Sequence, residues 1–280
     1  MVDKNLFLYD LAVVAIMKNE EPYVKEWIDY HLLAGVDHFY IYDNDSTPDF
    51  KKILQPYIGA NIVTYIHYPG KCRQMEAYSD AVKNFRFECR YLAIIDGDEF
   101  IFPKSKSTIT EIVDEVLNKN PDFSGLGINW CLFGSNNQDE ADFSRDVLER
   151  FTRHGNVSTT IKTVFDPRKA KLFHTPHAPR YFGRNFTVTE NSEIVLAYDS
   201  KKATAEKISL NHYSLKSREE YEKKVQRGNA DHFNNHYNVK SFSHDKCNDE
   251  FDDGIIKYRN ARRDALIGKG GGWYRNIICA

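Results

Sequence analysis

The sequence predicts an α/β fold built on a mostly parallel sheet that helices cover on both faces. Two patterns in the first hundred residues support this class. Short apolar segments alternate with longer segments of helical periodicity, and three of the four apolar segments run into a polar cluster. Parallel strands joined by helices place their carboxyl ends at one edge of the sheet, where ligands bind. The polar clusters therefore predict a binding site at that edge.

Each element follows from its local pattern. The predicted strands of the first hundred residues are 11–17, 38–43, 61–68 and 91–96, and the helices between them are 20–35, 48–58 and 72–87. A helix over 108–120 ends before Pro121, because the residue before a proline avoids helical geometry. Further strands are predicted at 125–134, 159–165, 193–198 and 207–213. A helix over 217–233 has a capping box of Ser217 and Glu220, and a weaker helical pattern over 248–268 is interrupted by Gly254.

Length and composition limit the classes of protein. The 280 residues suit one large domain with an elaboration, and we expect a catalytic domain over 1–235 with a helical extension over 236–280 packed on it. A formal net charge of −2 gives no electrostatic sign of nucleic-acid binding. The five cysteines are scattered, without a C-x-x-C pair, which favours a reducing compartment over a disulfide framework or a zinc knuckle.

The ends of the chain bear on location. Asp10 interrupts the apolar N-terminal stretch, no cleavage pattern follows it, and no window has the length of a membrane span. We therefore expect a cytoplasmic protein. The C-terminal residues Trp273, Tyr274, Arg275 and Ile277 are a candidate peripheral contact with the inner face of a membrane.

The carboxylate cluster "DGDE" at 96–99 directly follows the fourth predicted strand. It fits a solvated acidic turn, or a phosphohydrolase in which the first Asp is the nucleophile. That class usually has Thr or Val where this chain has Phe100. The third interpretation is a D-x-D motif that holds Mg²⁺ or Mn²⁺ against a sugar-nucleotide diphosphate, because hard oxygen ligands suit these ions.

The cluster "DNDS" at 43–46 begins like a calcium loop. The match fails because Pro48 stands where a glycine is required and Leu54 where the bidentate Glu belongs. Asp43 can instead accept hydrogen bonds from a nucleobase or a ribose. An Asx-type turn that needs no ligand is the alternative.

Five blocks of the chain, taken together, resemble the family 2-like and family 92-like glycosyltransferases. The blocks are "VAIMKNEEPYVKEWIDYHLLAGVDHFYIYDNDS", "IIDGDEFIFP", "WCLFGS", "FHTPH" and "ISLNHYSLKSREEYEKKVQRGNA", in this order between residues 14 and 230. The resemblance implies a GT-A fold, which is a Rossmann-like, mostly parallel sheet flanked by helices. It also implies a divalent cation, Mn²⁺ or Mg²⁺, and a nucleotide-sugar donor.

The resemblance also implies roles for individual residues. Those expected beside the nucleotide and its diphosphate are Asn19, Glu20, Asp43, Arg73, Asp96, Lys216 and Arg227. Those expected at the metal are Asp98 as the direct ligand, Asp96 nearer the ribose or a metal-bound water, and His212 as the third contact. Those expected on the acceptor side are Trp130 and Phe133.

The residue patterns add support of their own, with alternatives. His212 ends a predicted strand and Lys216 precedes a helix, whose N-terminal dipole favours an anion, so a metal and a phosphate can meet there. A hydrogen-bonded core role for His212, a surface role for Arg73 and a core role for Trp130 are the plain alternatives.

These observations predict a metal-dependent, inverting hexosyltransferase that transfers galactose from UDP-galactose to a glycan or glycolipid acceptor. The base that takes the acceptor proton is not assigned by the sequence. Asp139 and Glu140 are the first candidates, and His177 and Glu190 remain open. The alternatives are a non-catalytic protein that binds a nucleotide sugar or a glycan, and a D-x-D phosphohydrolase.

Overall fold

The computed structural model describes residues 6–228 and 238–268. Within these residues the chain forms thirteen strands and seven α-helices. The strands are β1 (Tyr9–Met17), β2 (His38–Asp43), β3 (Val63–His67), β4 (Cys89–Ile94), β5 (Glu99–Pro103), β6 (Phe123–Phe133), β7 (Arg153–Phe165), β8 (Ala170–Phe173), β9 (Pro179–Tyr181), β10 (Phe186–Val188), β11 (Ile194–Val195), β12 (Ile208–His212) and β13 (Glu250–Phe251). The helices are α1 (Val24–Leu33), α2 (Pro48–Gly59), α3 (Gln74–Phe85), α4 (Ile109–Leu117), α5 (Val147–Arg150), α6 (Arg218–Arg227) and α7 (Gly254–Gly268).

The predicted α/β class is confirmed by the centre of the sheet. Strands β3, β2, β1 and β4 lie side by side in this order, and all of them are parallel. Alternate residues of β1 enter two separate cores: Leu11 and Val13 pack with α1, α2 and α4, whereas Ala12 and Val14 pack with α3. A strand buried on both faces has no room for polar side chains along its length, so polar residues collect at its end.

The second half of the sheet is mainly antiparallel and brings distant segments to the end of β4. Strand β7 runs antiparallel to both β4 and β6 and is longer than the predicted 159–165. The sequence did not predict β5, because this five-residue strand begins at Glu99, within the acidic cluster. Strand β12 lies between β5 and β6, so His212 is aligned with Glu99 on one side and Leu132 on the other.

The C-terminal part differs from its prediction in one respect. Gly254 begins α7 and does not interrupt a helix, because the Asp252 carboxylate accepts a hydrogen bond from the Gly254 amide at 2.7 Å. The residues before Asp252 form β13, which pairs with β7. Helix α7 packs near α1, where Arg262 Nε donates to the Leu33 carbonyl at 3.0 Å.

Helix α6 ends at Arg227, where Gly228 follows with a left-handed backbone (φ 84°), so the predicted helix over 217–233 is too long. Two predictions fall on residues outside the described part of the chain: the domain boundary after residue 235 and the membrane contact at 273–277. They stay predictions. Among the residues that the structure describes, no helix has both the length and the apolar character that a membrane crossing requires.

Candidate functional site

The polar clusters that follow β1, β2 and β4 meet at one edge of the sheet. Met17 pairs with Asp43 at the ends of β1 and β2, and Val14 pairs with Ile94 near the end of β4. The Asn44 amide donates to the Met17 carbonyl at 2.8 Å, which joins the first two ends beyond the strands. This arrangement was expected from the sequence and places the candidate site at the carboxyl edge of the sheet.

Asp43 and Asn19 build the turns at this edge. Asp43 Oδ1 accepts from the Ser46 amide at 2.9 Å, as in an Asx-type turn, and its Oδ2 accepts from the Tyr65 hydroxyl at 2.5 Å. Asn19 has a left-handed backbone (φ 54°), and its amide donates to Ser46 Oγ at 2.9 Å. Ser46 therefore ties the two turns together.

Glu20 and Arg227 pair across the site, although 207 positions separate them in the sequence. Arg227 Nη1 bonds Glu20 Oε1 and also donates to the Lys18 carbonyl at 2.7 Å. Glu20 Oε2 is buried and has no hydrogen-bond partner among the described residues. Arg73 lies apart from this pair, with its guanidinium 2.5 Å from the Glu76 carboxylate and over the Tyr68 ring.

Asp96 is held by three donors. Its Oδ1 accepts from Gln74 Nε2 at 2.8 Å and from the Tyr78 hydroxyl at 3.0 Å, and its Oδ2 accepts from Lys162 Nζ at 2.9 Å. The Lys162 ammonium is fully buried and lies 3.8 Å from Glu99 Oε2. Burial alone would lower the pKa of Lys162, but the charges of Asp96 and Glu99 raise it. Lys162 is therefore a fixed cation inside the sheet.

Asp98 is buried and faces two other partners. Its Oδ1 lies 3.5 Å from His212 Nε2, and its Oδ2 accepts from Lys224 Nζ at 2.6 Å. Burial alone would raise the pKa of Asp98, but Lys224 and His212 hold it well below its usual range. The Tyr213 amide donates to the Asp98 carbonyl at 2.9 Å, which fixes the acidic turn against β12.

The expected three-ligand metal set is not assembled in the structure. In the described part of the chain, no three His, Cys, Asp or Glu side chains are grouped so as to hold a metal ion. The Asp96 carboxylate is instead hydrogen-bonded to Gln74, Tyr78 and the buried Lys162 ammonium. Asp98 Oδ1 and His212 Nε2 remain close enough for one ion, and Mg²⁺-type sites commonly use one or two protein ligands together with substrate phosphates. The donor set therefore fits a cation shared with a bound diphosphate.

One face of α6 and the loop before it are basic. Lys224 and Arg227 are three residues apart on α6, which places both on the side of the helix that faces the sheet edge, and Lys216 lies in the loop just before the helix. Lys216 is buried with a left-handed backbone (φ 51°), and its Nζ lies 4.2 Å from the centre of the Tyr23 ring. Such backbone strain in a side-chain-bearing residue clusters at functional sites. Burial lowers the pKa of Lys216.

A buried ion pair fixes the start of α6. Glu220 accepts two hydrogen bonds from the Arg150 guanidinium, at 2.8 and 2.9 Å, and completes the predicted capping box with Ser217. The Tyr23 hydroxyl also donates to Glu220, at 2.8 Å. Burial alone would raise the pKa of Glu220, but the bonds from Arg150 and Ser217 lower it to about 2. These contacts set the position of Lys216.

A cavity of about 370 Å³ lies between α6 and the end of β1. Its volume falls in the usual range for small-ligand sites. Its lining combines basic side chains with aromatic rings; the residues are Asn19, Glu20, Pro22, Tyr23, Phe143, Ser214, Leu215, Lys216, Glu220, Lys223, Lys224 and Arg227. This combination suits an anionic ligand that also carries an aromatic group.

The two predicted acceptor residues lie in different environments. Trp130 is half-buried, and its ring lies 4.6 Å from the His212 ring and 5.4 Å from the His177 ring, measured between centroids. Phe133 is 1% exposed and packs against Tyr213 and His154. Phe133 therefore belongs to the core, because the inward face of β6 is covered there, and only Trp130 stands beside the site.

The two predicted base candidates lie on an exposed loop. Asp139 Oδ1 accepts from Arg218 Nε at 2.9 Å and is 3.0 Å from His244 Nε2. Both hydrogen bonds lower the pKa of Asp139, which makes it a weaker base. Glu140 is exposed on the same loop. No contact of the described residues joins either carboxylate to Asp98, His212 or Trp130.

The sequence analysis missed two lysines. Lys224 could have been found, because it lies one helical turn before Arg227 in the predicted helix. The sequence indicates Lys162 less clearly, because it is a single basic residue within the strand-like segment 159–165. Its partners, Asp96 and Glu99, are more than sixty residues away.

Comparison with known proteins gives one family. The model of glycosyltransferase family 92 matches residues 13–253. A family 92 glycosyltransferase of Ricinus communis is 25% identical over 128 residues, which are 45% of this chain and 23% of that protein. A galactan β-1,4-galactosyltransferase of Arabidopsis thaliana is 27% identical over 101 residues, which are 32% of this chain and 19% of that protein. The matched segments thus span less than a quarter of these relatives.

Among solved structures, S. aureus TarS 1–349 is similar to the chain at 13% identity with a TM-score of 0.38. The match covers 76% of this chain and 62% of that chain.

We expect Lys162→Met to lower the free energy of unfolding by about 3–5 kcal/mol, because it leaves the buried Glu99 carboxylate and the half-buried Asp96 carboxylate without a counter-charge. Chemical denaturation measures the change. Adding Asp96→Asn to Lys162→Met should recover part of the loss. Strictly additive effects of the two substitutions would show that the pair is not coupled.

Glu220→Gln should make the free energy of unfolding depend less on pH in the acid range. The pKa of Glu220 is lowered from 4.5 to about 2 in the folded chain. Its ionised form therefore stabilises the fold at pH values above about 4.5, and this stabilisation is lost as the pH falls towards 2. Denaturation of both proteins at pH 7, 5 and 3 tests this. The variant should be less stable at pH 7, and the difference from wild type should shrink at pH 3. A constant difference would contradict the assignment.

Proposed function

The chain belongs to glycosyltransferase family 92, and on this basis we propose that it transfers a hexose from a UDP-sugar donor to a hydroxyl group of a glycan or glycolipid. The observation that carries the proposal is the meeting of Asp98 and His212 with the basic face of α6 beside the 370 Å³ cavity. A transferase of this kind must stabilise a departing diphosphate, and the cavity offers positive charge for it.

Each part of the donor has candidate partners. Lys216 and Arg227 bind the diphosphate, and the neighbouring Lys224 adds a third positive charge. Asp43 and Asn19, in the turns after β2 and β1, lie where the nucleoside is expected. Asp96 has a positioning role, because Gln74, Tyr78 and Lys162 hold its carboxylate at the end of β4.

Asp98 and His212 are the residues that would hold a divalent ion, Mn²⁺ or Mg²⁺. When bound, such an ion neutralises the negative charge of the leaving diphosphate. Lys224, which pairs with Asp98 in the structure, would then share Asp98 with the ion or give it up. The ionised state of Asp98 is already set by its neighbours, so it is ready to act as a ligand.

Galactose is the proposed hexose and UDP-galactose the proposed donor, with inversion at the anomeric carbon. The partial similarity to a galactan β-1,4-galactosyltransferase supports the choice of sugar. Trp130 stands on the acceptor side, where its ring can pack against the C–H face of a sugar. A non-catalytic binding protein would use the same cavity, so turnover of the donor is the decisive measurement.

Asp98→Asn should abolish release of UDP from UDP-galactose and also remove the increase in melting temperature that Mn²⁺ adds to UDP. The substitution removes the negative charge of the side chain at position 98 while keeping its shape. Asp49→Asn is the control, because Asp49 is an exposed aspartate that forms an ion pair with Lys52 at the surface. Equal melting temperatures of the wild type with UDP in the presence and absence of Mn²⁺ would argue against the metal assignment.

Lys216→Ala should reduce kcat for UDP release by about 10²–10³-fold, because it removes a buried positive charge from the leaving diphosphate. Steady-state kinetics with UDP-galactose and Mn²⁺ provide the measurement. Lys257→Ala, on the exposed side of α7, is the matched control. Wild-type kinetics in the Lys216 variant would remove it from the diphosphate site.

A further inference from the structure

His177 lies in the loop between β8 and β9, close to the proposed acceptor side. Its Nδ1 is 2.9 Å from the Ile161 carbonyl oxygen. A carbonyl can only accept a hydrogen bond, so Nδ1 carries the proton, and Nε2 of the neutral ring has a lone pair. No described residue makes a hydrogen bond to Nε2. The fold therefore fixes one tautomer and leaves the basic nitrogen available.

The rings around His177 connect it, through Trp130, to the proposed metal ligand His212. Its ring lies 5.4 Å from Trp130 and 5.5 Å from Tyr198, and Trp130 in turn lies 4.6 Å from His212. The Ile161 amide donates to the Tyr198 carbonyl at 3.0 Å, so both neighbours of His177 are fixed to the same sheet. Tyr198 is 45% exposed, and with Trp130 it offers aromatic surface to a sugar ring.

Burial favours the neutral form of His177, and three charged groups lie near enough to act on it. The groups concerned are the Lys162 ammonium and the Asp96 and Asp199 carboxylates. Burial lowers the pKa of His177, and the Lys162 charge lowers it further, against the opposing effect of the carboxylates and the Ile161 bond. A histidine with a lowered pKa is unprotonated at neutral pH and can accept a proton.

Two other base candidates are engaged elsewhere, and Glu140 is exposed on the loop beside Asp139. Asp139 pairs with Arg218 and His244. Glu190 is 2% exposed and accepts the backbone amides of residues 206–208 together with the Thr204 hydroxyl. Glu190 therefore has a structural role, since its oxygens hold the chain that enters β12.

We propose that His177 is the general base of the transfer, an inference that rests on the proposed function. Nε2 takes the proton of the acceptor hydroxyl while the acceptor oxygen forms a bond to the anomeric carbon. The bond between that carbon and the diphosphate oxygen breaks, and its electron pair leaves on UDP. The imidazolium then releases its proton to solvent. Water, in place of the sugar hydroxyl, is deprotonated in the same way during donor hydrolysis.

The test compares His177→Asn and His177→Gln with the wild type. The amide nitrogen of Asn replaces Nδ1, so His177→Asn can keep the bond to Ile161 while removing the base. We expect kcat for UDP release from UDP-galactose, with β-1,4-galactotetraose or with water as acceptor, to fall by about 10²-fold or more in both variants. KM for UDP-galactose and the melting-temperature shift caused by UDP with Mn²⁺ should be unchanged.

The pH profile separates a base from a structural residue. In the wild type, kcat/KM should decline as the pH falls through the pKa of His177, and this acid limb should disappear in both variants. His174→Asn, an exposed histidine of the same loop, is the control. Near-wild-type kcat or a retained acid limb in the variants would overturn the role of His177. A wild type that binds UDP but releases none from UDP-galactose would instead overturn the proposed function, and the base with it.

Discussion

The carboxylates that follow β4 need counter-charges, and much of the site is arranged to supply them. The end of the buried strand β4 is followed within four residues by three carboxylates, those of Asp96, Asp98 and Glu99. An uncompensated charge buried there costs roughly several kcal/mol of folding free energy. Lys162 on β7 offers its single positive charge to the first and third, and Lys224 on α6 pairs with the second. Each counter-charge comes from a different element, so the fold must bring β7 and α6 to one place before the acidic turn is stable.

The antiparallel half of the sheet makes this meeting possible. A purely parallel sheet would leave the end of β4 open, but β7 runs antiparallel beside it and carries Lys162 inward. Strand β12 lies between β5 and β6 and delivers His212, after which the capped start of α6 follows directly. The parallel half thus supplies the acidic turn, and the antiparallel half supplies its partners.

The sequence predicted the parallel half well, because alternating strand and helix patterns are local. It also predicted the contact between Asp98 and His212, although only through a resemblance to a family, since more than a hundred residues separate them. It could not predict that Asp96 faces Lys162, because nothing in the neighbourhood of either residue indicates the partner. Phe133 shows the same limit. The sequence pattern of an aromatic residue at a strand end is the same whether its ring faces the core or a ligand. The contact with Tyr213 shows that the Phe133 ring faces the core.

The ion pair between Lys224 and Asp98 has a consequence for cation affinity. An ammonium already occupies one oxygen of Asp98, so an incoming divalent ion exchanges one counter-charge for another. The affinity for such an ion would then be the difference between two attractions, weaker than the ligands alone would give. A bound diphosphate would relieve this competition, because it would offer the displaced lysine a new anionic partner. Donor and ion would therefore bind with positive cooperativity, each making room for the other.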